Sequence, residues 1–112
     1  MRKPAKENQI LVVIKEPGKA PRVEPLFSNT LEAFQGAVGG YIEAVTLCTD
    51  LVLIVNEEGR IRGLPFNLNM AGLPLYGTVL AVGAKGDEFT SLKASTVPHV
   101  LRTLGGKATS TP

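Results

Sequence analysis

The stretch ILVVIKEPGKAPRVEPLF, residues 10–27, decides the fold class because it contains two strands and the turn that joins them. The run ILVVI, residues 10–14, consists mostly of β-branched residues and favours a strand that is buried on both faces or nearly so. In EPGKAP, residues 16–21, proline followed by glycine fits the two central positions of a type II turn. We therefore predict that RVEPLF returns antiparallel, and that Pro25 marks it as an edge strand or a strand end.

The next segments predict a helix and a second pair of strands. SNTLEAFQGAVGG, residues 28–40, is typical of a short helix that Ser28 or Asn29 caps, with apolar residues on one face and glycines at its end. YIEAVTL and LVLIV predict an antiparallel pair that turns at CTD. Asn56 to Gly59 then predict a tight hairpin reversal, with RIRGLPF as the returning strand.

The remaining segments are predicted as a loop, a strand and a helix. FNLNMAGLPL is interpreted as a loop, and YGTVLAV as a strand because its residues favour the β conformation. A helix is predicted from about Thr96 to Leu104, and Gly105 and Gly106 are expected to stop it.

This order of elements predicts an α+β fold, a mostly meander antiparallel β-sheet with one helix after the second strand and a short C-terminal helix. Both helices are expected to pack on the same side of the sheet. A chain of 112 residues is one domain. We place this domain at residues 9–104, between a basic N-terminal arm at residues 1–8 and a disordered tail at residues 105–112.

The composition argues against several classes of chemistry. Cys48 is the only cysteine and is predicted to be buried filler, and His99 is the only histidine. Cys/His zinc sites and a Ser-His-Asp arrangement therefore have no support. We predict no catalytic residue, no metal site and no cofactor.

Charge and hydropathy limit the partners and the location. Although the net charge is +2, residues 28–92 carry more acidic than basic residues and the chain has no tryptophan, which argues against nucleic-acid binding. No apolar run reaches the roughly 18 to 20 residues of a membrane helix, so no membrane partner is expected. No secretory signal follows the basic start, and the cytoplasm of the host cell is the expected location.

Five separated blocks of the sequence resemble a known family. The blocks are EPGKAP, VGGYIEAV, NEEGRIRGLPFN, GTVLAVG and DEFTSL, in this order. Together they are similar to a family of small proteins of prophages, conjugative elements and their Firmicutes hosts, defined as a domain of unknown function. The resemblance covers about residues 9 to 92, and the segment from Lys93 onward lies outside it.

The resemblance implies a mobile-element setting, in which small accessory proteins bind and disable a component of the host. We expect a non-enzymatic sponge, meaning a homo-oligomer that sequesters a nucleotide-derived host immune signal of the cyclic ADP-ribose or cyclic dinucleotide type. Its candidate ligand-binding residues offer amides for a base or ribose edge, aromatic rings for stacking and cations for phosphate. They are Asn56, Asn67 and Asn69, then Tyr41 and Phe66, then Lys15, Lys19, Arg60 and Arg62.

Two other functions stay open. A protein-binding inhibitor or adaptor would act on a host protein through an exposed apolar patch or an open sheet edge. A small phosphodiesterase would need converging carboxylates or a metal, whereas Glu57 and Glu58 are expected to be solvated in a turn. A two-fold dimer is the simplest oligomer, because two short helices are expected to leave part of the sheet uncovered. NEEGRIRGLPFN itself is either part of a site or only a hairpin turn.

Overall fold

The computed structural model describes residues 9–110, and its side chains are described through residue 105. A 3-10 turn, Ala94–Thr96, leads into the last helix. The predicted basic arm, residues 1–8, lies outside the described residues. The elements in chain order are β1 (Gln9–Lys15), β2 (Arg22–Ser28), α1 (Leu31–Val38), β3 (Ile42–Cys48), β4 (Leu51–Asn56), β5 (Phe66–Met70), β6 (Leu73–Tyr76), β7 (Val79–Lys85), β8 (Glu88–Thr90) and α2 (Val97–Ser110).

Five strands form an antiparallel sheet in the order β2-β1-β7-β4-β3, and the short β8 extends it beside β7. β1 and β2 form the predicted hairpin, in which Lys19 N donates to Glu16 O at 3.1 Å and Gly18 has a φ of 75°. Pro25 lies in β2 at the edge of the sheet, where a strand tolerates the missing N–H. The α+β class and the antiparallel sheet are therefore confirmed.

The central strands β1, β7 and β4 are buried on both faces. On one face, Phe34 and Val38 of α1 pack into a cluster with alternate residues of these strands. On the other face, Val100 and Leu104 of α2 form a second cluster together with Leu75 of β6. The expectation that both helices lie on one side is wrong, because apolar strands of this kind need cover on both faces.

The chain leaves β4 through a run of turns and not through a hairpin. Residues 57–63 are turns, and Arg62 N donates to Glu58 O at 2.8 Å, as in one turn of an α-helix. The prediction of RIRGLPF as a returning strand is therefore wrong. The next strand, β5, pairs with β6 in a separate two-stranded sheet.

FNLNMAGLPL, predicted as a loop, forms the β5–β6 hairpin. Ala71 and Gly72 between the two strands have positive φ values of 52° and 84°, as a two-residue type I′ turn requires. Leu68, Met70 and Leu75 of this hairpin pack on the same cluster as α2. The hairpin therefore supplies cover for the sheet that the two helices alone do not.

The bounds of both helices differ from the prediction. The side chain of Thr30 caps α1 by accepting from Ala33 N at 3.1 Å, so the cap is neither of the two residues predicted. α2 continues past Gly105 to Ser110, and the helix end predicted at the two glycines is wrong. Part of the segment predicted as a disordered tail is thus helical, while residues 111–112 lie outside the described residues.

Cys48 is exposed and does not fill the core. It ends the edge strand β3, where the register shifts between Thr46 and Cys48. Its thiol lies 3.5 Å from Asp50 Oδ1. The prediction of a buried thiol is wrong because only alternate residues of an edge strand reach the core.

Candidate functional site

Most of the predicted ligand-binding residues gather at one end of the large sheet. Lys15 ends β1 opposite Val79, the first residue of β7, and Asn56 ends β4 opposite Ile42, the first residue of β3. Because neighbouring antiparallel strands alternate in direction, these strand termini lie at the same end of the sheet. The β1–β2 turn and the turns at residues 57–63 extend from that end.

Asn67 connects the β5–β6 hairpin to this end of the sheet through three hydrogen bonds. Its Nδ2 donates to Lys15 O and to Gly77 O, both at 2.8 Å. Its Oδ1 accepts from Lys15 Nζ at 3.0 Å. Both amide hydrogens are thus used inside the protein. Asn67 therefore has no N–H left for a base edge, and its geometry is that of a residue that positions Lys15.

Lys15 holds its amine in a partly buried position. The residue is 9% exposed, and burial lowers the pKa of the amine below its ordinary value. An ammonium has three N–H donors, and two of them are directed to Glu16 O at 3.0 Å and to Asn67 Oδ1. Both acceptors are neutral, and no carboxylate within residues 9–105 lies at ion-pair distance from Nζ. The charged form of Lys15 therefore has one N–H left for an additional partner.

Lys15 lines a cavity of about 400 Å³ between the β1–β2 turn, β5 and α2. Lys19 stands at the exposed rim, where its Nζ pairs with Glu16 Oε1 at 3.1 Å. Arg22 Nη1 lies 3.4 Å from the other oxygen of that carboxylate. The hydrogen bond from Lys19, together with its charge, lowers the pKa of Glu16. The described lining consists of Lys15, Gly18, Lys19, Ala20, Pro21, Asn67, Leu68, Leu104 and Gly105.

Gly105 lets α2 approach the β1–β2 turn closely. A Cβ atom at this position would lie 2.9 Å from Pro21 Cδ, which is closer than carbon atoms pack. Pro21, Leu68 and Leu104 give the cavity an apolar wall. These residues escape prediction because Leu68 falls in a presumed loop and Gly105 at a presumed helix end. The alternation of polar and apolar residues in FNLNM is the signal that identifies the strand carrying Leu68.

Asn56 is 5% exposed and holds neighbouring backbone in place. Its Nδ2 donates to Val38 O at 3.0 Å, and its Oδ1 accepts from Glu58 N at 2.7 Å. These bonds join the end of α1 to the exit of β4, and they favour the turns that follow in NEEGRIRGLPFN. Asn56 also lines a smaller cavity of about 120 Å³ together with Arg60.

The other predicted residues line neither cavity. Tyr41 is 69% exposed, and Arg62 and Asn69 are exposed as well. Phe66 packs edge-on against Tyr76, with ring centroids 5.7 Å apart. The structure therefore brings the two predicted lysines together with one amide, and separates them from both rings predicted for stacking.

Residues 9–110 contain neither a cluster of metal-ligating side chains nor a helix that could cross a membrane. No group of three or more His, Cys, Asp or Glu side chains in this range is placed to hold a metal ion. Neither helix there has the length and apolarity needed to cross a membrane.

These features define an α+β domain whose antiparallel sheet is covered on both faces and carries a lysine-lined cavity at one end of its strands. The chain belongs to the DUF3846 family, a domain of unknown function whose model matches residues 10–105. The match includes α2 up to Gly105, which lies outside the five blocks that carry the resemblance. Among curated proteins and solved structures, no match to the chain is found.

Proposed function

We propose that this protein is a non-enzymatic binding protein that captures a small anionic ligand in the cavity at Lys15 and holds it without chemical change. The observation that carries the proposal is the partly buried amine of Lys15, which two neutral oxygens hold and no carboxylate of the described residues neutralises. A charge that loses part of its hydration without gaining a counterion is less stable than one in water. An anion in the cavity would offset that loss.

The two lysines contribute to binding in different ways. Asn67 and the Glu16 carbonyl fix the Lys15 amine before a ligand arrives, so its third N–H is a preorganised donor. Lys19 is held less firmly than Lys15, because its side chain is 71% exposed and its ion pair with Glu16 lies at the surface. A phosphate group suits such a pair, since its oxygens accept several charge-assisted hydrogen bonds. The lining supplies donors and apolar groups, which favours binding over catalysis.

Within this class we propose a nucleotide-derived host immune signal, of the cyclic ADP-ribose or cyclic dinucleotide type, as the ligand. The protein would act as a sponge for that signal in the cytoplasm of a host that carries a prophage or conjugative element. The family resemblance supports the setting, and the phosphates of such signals match the two lysines. Tyr41 and Phe66 lie outside the cavity, so the phosphate contacts support this finer proposal and ring stacking does not.

The strand β3 supports the homo-oligomer that is part of this proposal. It is an edge strand of seven residues without proline, whereas β2 at the other edge contains Pro25. An unprotected edge can add a strand from a second chain. The same edge also favours the alternative function, a protein-binding inhibitor or adaptor, because Tyr41 precedes it and Ile61 on the nearby turns is 85% exposed.

Thermal unfolding against a ligand panel tests the proposal. The panel contains inorganic phosphate, AMP, ADP-ribose, cyclic ADP-ribose and a cyclic dinucleotide, each with the wild type, Lys15→Met and Lys85→Met. Lys85 is an exposed lysine at the opposite end of the sheet and serves as the matched control. A ligand at a thousandfold excess over Kd stabilises the folded state by about 4 kcal/mol. We expect this shift in the wild type and in Lys85→Met, but not in Lys15→Met.

Chemical analysis of the ligand that the protein releases on heating distinguishes a sponge from a phosphodiesterase and from a protein-binding inhibitor. Intact ligand is the result expected for a sponge. Altered ligand would reject the proposal in favour of a phosphodiesterase. No shift with any compound would also reject it, and would direct the search to protein partners of the β3 edge.

A further inference from the structure

The lining of the Lys15 cavity points to the chemical class of the ligand. Resting only on the proposed capture of an anion at Lys15, and in competition with the nucleotide-type ligand proposed above, we infer that the ligand joins one anionic group to a compact apolar body, and that this body fills the cavity in place of a stacked base. The feature that carries the inference is the position of two amines beside an apolar wall.

The apolar wall is packed against the rest of the protein before a ligand arrives. Leu104 is 4% exposed and belongs to the core cluster of α2, and Leu68 packs against the same cluster. Pro21 is held against the backbone of Gly105. Removing such an apolar surface from water is favourable, so an apolar ligand group that displaces the water there is expected to bind. Because the wall is already ordered, little conformational freedom is lost on binding.

The side chains of the described lining include no aromatic ring and no amide N–H that is free to pair with a base. Asn67 directs both of its N–H groups to backbone oxygens within the protein. The four Phe and two Tyr of the chain all lie between Phe27 and Phe89, and none of them lines the cavity. Side-chain hydrogen-bond donors are thus concentrated in the two amines, where they suit a single anionic group.

The size of the cavity fits a ligand of this kind. Its volume of about 400 Å³ lies within the range of roughly 300 to 1,000 Å³ typical of small-molecule sites. An anionic group at Lys15 leaves room for a body of several carbon atoms along Pro21 and Leu68. The ligand class is therefore an organic phosphate or comparable acid with an aliphatic or otherwise apolar body.

A series of phosphate monoesters tests this inference by titration calorimetry on the full chain. The probes are inorganic phosphate, ethyl phosphate, n-butyl phosphate, n-hexyl phosphate and AMP. Each methylene that enters the wall should lower Kd about two- to fourfold, until the cavity is filled. We expect n-hexyl phosphate to bind at least about tenfold more tightly than either inorganic phosphate or AMP.

Variants of the wall test the location of the apolar body. Leu68→Asn should reduce the dependence of Kd on chain length, whereas Leu73→Asn should preserve it. Leu73 is on the same hairpin, is 46% exposed and does not line this cavity, so it is the matched control. Because Leu68 also contacts the core, Ala20→Gln at an exposed position of the lining provides a second test with little risk to folding.

The outcomes separate this inference from the proposed function. Binding of AMP as tight as that of n-hexyl phosphate, or a Kd that does not depend on chain length, would overturn the inference while anion binding stands. An equal dependence on chain length in wild type, Leu68→Asn and Ala20→Gln would also overturn it. No binding of any probe would overturn the inference, and the absence of a thermal shift with every compound of the ligand panel would overturn the proposed function.

Discussion

Asn67 and Lys15 hold each other through both backbone and side chain. Asn67 Nδ2 donates to Lys15 O at 2.8 Å, while Asn67 Oδ1 accepts from Lys15 Nζ at 3.0 Å. The two residues are 52 positions apart in the chain. This pair therefore closes the β5–β6 hairpin onto the large sheet and at the same time fixes the amine at the candidate site.

Replacing Asn67 with alanine should destabilise the fold. We expect Asn67→Ala to lower the free energy of unfolding by about 2–3 kcal/mol, because three hydrogen bonds are lost and partly buried groups are left without partners. Urea denaturation measures the change. Asn69→Ala, an exposed neighbour on the same strand, should stay within about 0.5 kcal/mol of the wild type. Equal effects of the two substitutions would show that the pair does not hold the hairpin.

Asn56 should behave as a structural residue. Asn56→Ala removes the bonds to Val38 O and Glu58 N and should lower the free energy of unfolding by about 1–3 kcal/mol. Arg62→Ala, at an exposed position on the adjacent turns, should change it by less than about 0.5 kcal/mol. Chemical denaturation of both variants provides the comparison. If Asn56→Ala kept full stability and lost ligand binding, Asn56 would instead belong to the ligand site.

The lowered pKa of Lys15 predicts how stability depends on pH. Its folded-state pKa lies below the ordinary value of 10.5. Between these two pKa values the unfolded chain holds the Lys15 proton and the folded chain does not, so stability should rise with pH through that window. Lys15→Met should abolish this rise, and Lys85→Met should retain it. The measurement is the urea midpoint as a function of pH. A contribution of Lys15 to stability that falls as the pH rises through the window would contradict the lowered pKa.

Two glycines should respond to alanine in opposite directions. A Cβ at Gly83 would lie 2.5 Å from Ser91 O, so Gly83→Ala should lower the free energy of unfolding by about 1–3 kcal/mol. Gly36 lies inside α1 with open space around the added carbon, so Gly36→Ala should raise it by about 0.5–1 kcal/mol. Thermal and urea unfolding measure both. Stabilisation by Gly83→Ala would show that β7 and the segment after β8 are less closely packed than described.

The β3 edge should carry the contact between copies. We expect a dimer by size-exclusion chromatography with light scattering, and a shift toward monomer in Ala44→Lys, because a charged residue on an exposed edge strand opposes strand pairing. Leu26→Lys on the other edge, where Leu26 is 64% exposed, is the control and should leave the dimer intact. A wild type that is monomeric at all concentrations would remove the homo-oligomer from the proposal.

The parts of the fold that depend on local signals could be predicted. The β1–β2 hairpin follows from a β-branched run, a Pro-Gly turn and a proline at the edge. The exit from β4 could not, because the Asn56 side chain accepts from Glu58 N and directs the chain into turns. No residue pattern distinguishes that arrangement from a tight hairpin. The placement of α1 and α2 on opposite faces depends on packing across the whole sheet.

The candidate site could be predicted by residue type but not by shape. The lysines of EPGKAP and its flanks indicate an anion, and the structure places Lys15 and Lys19 at one cavity. The cavity itself depends on contacts between distant segments, Asn67 with Lys15 and Gly105 with Pro21. Such contacts leave no periodic signal in a single sequence, so the roles expected for Tyr41, Phe66 and Arg62 could not be separated from those of the lysines.

The most direct test of the central claim is the pKa of the Lys15 amine, read from the carbon NMR shift of its Cε atom. The titration is carried out on the free protein and again with inorganic phosphate, n-hexyl phosphate or AMP. A partly buried, unneutralised amine predicts a pKa below 10.5 in the free protein and a higher pKa when an anion binds beside it. A free pKa at the ordinary lysine value, or one that no phosphate compound raises, would contradict the claim that Lys15 is an anion site.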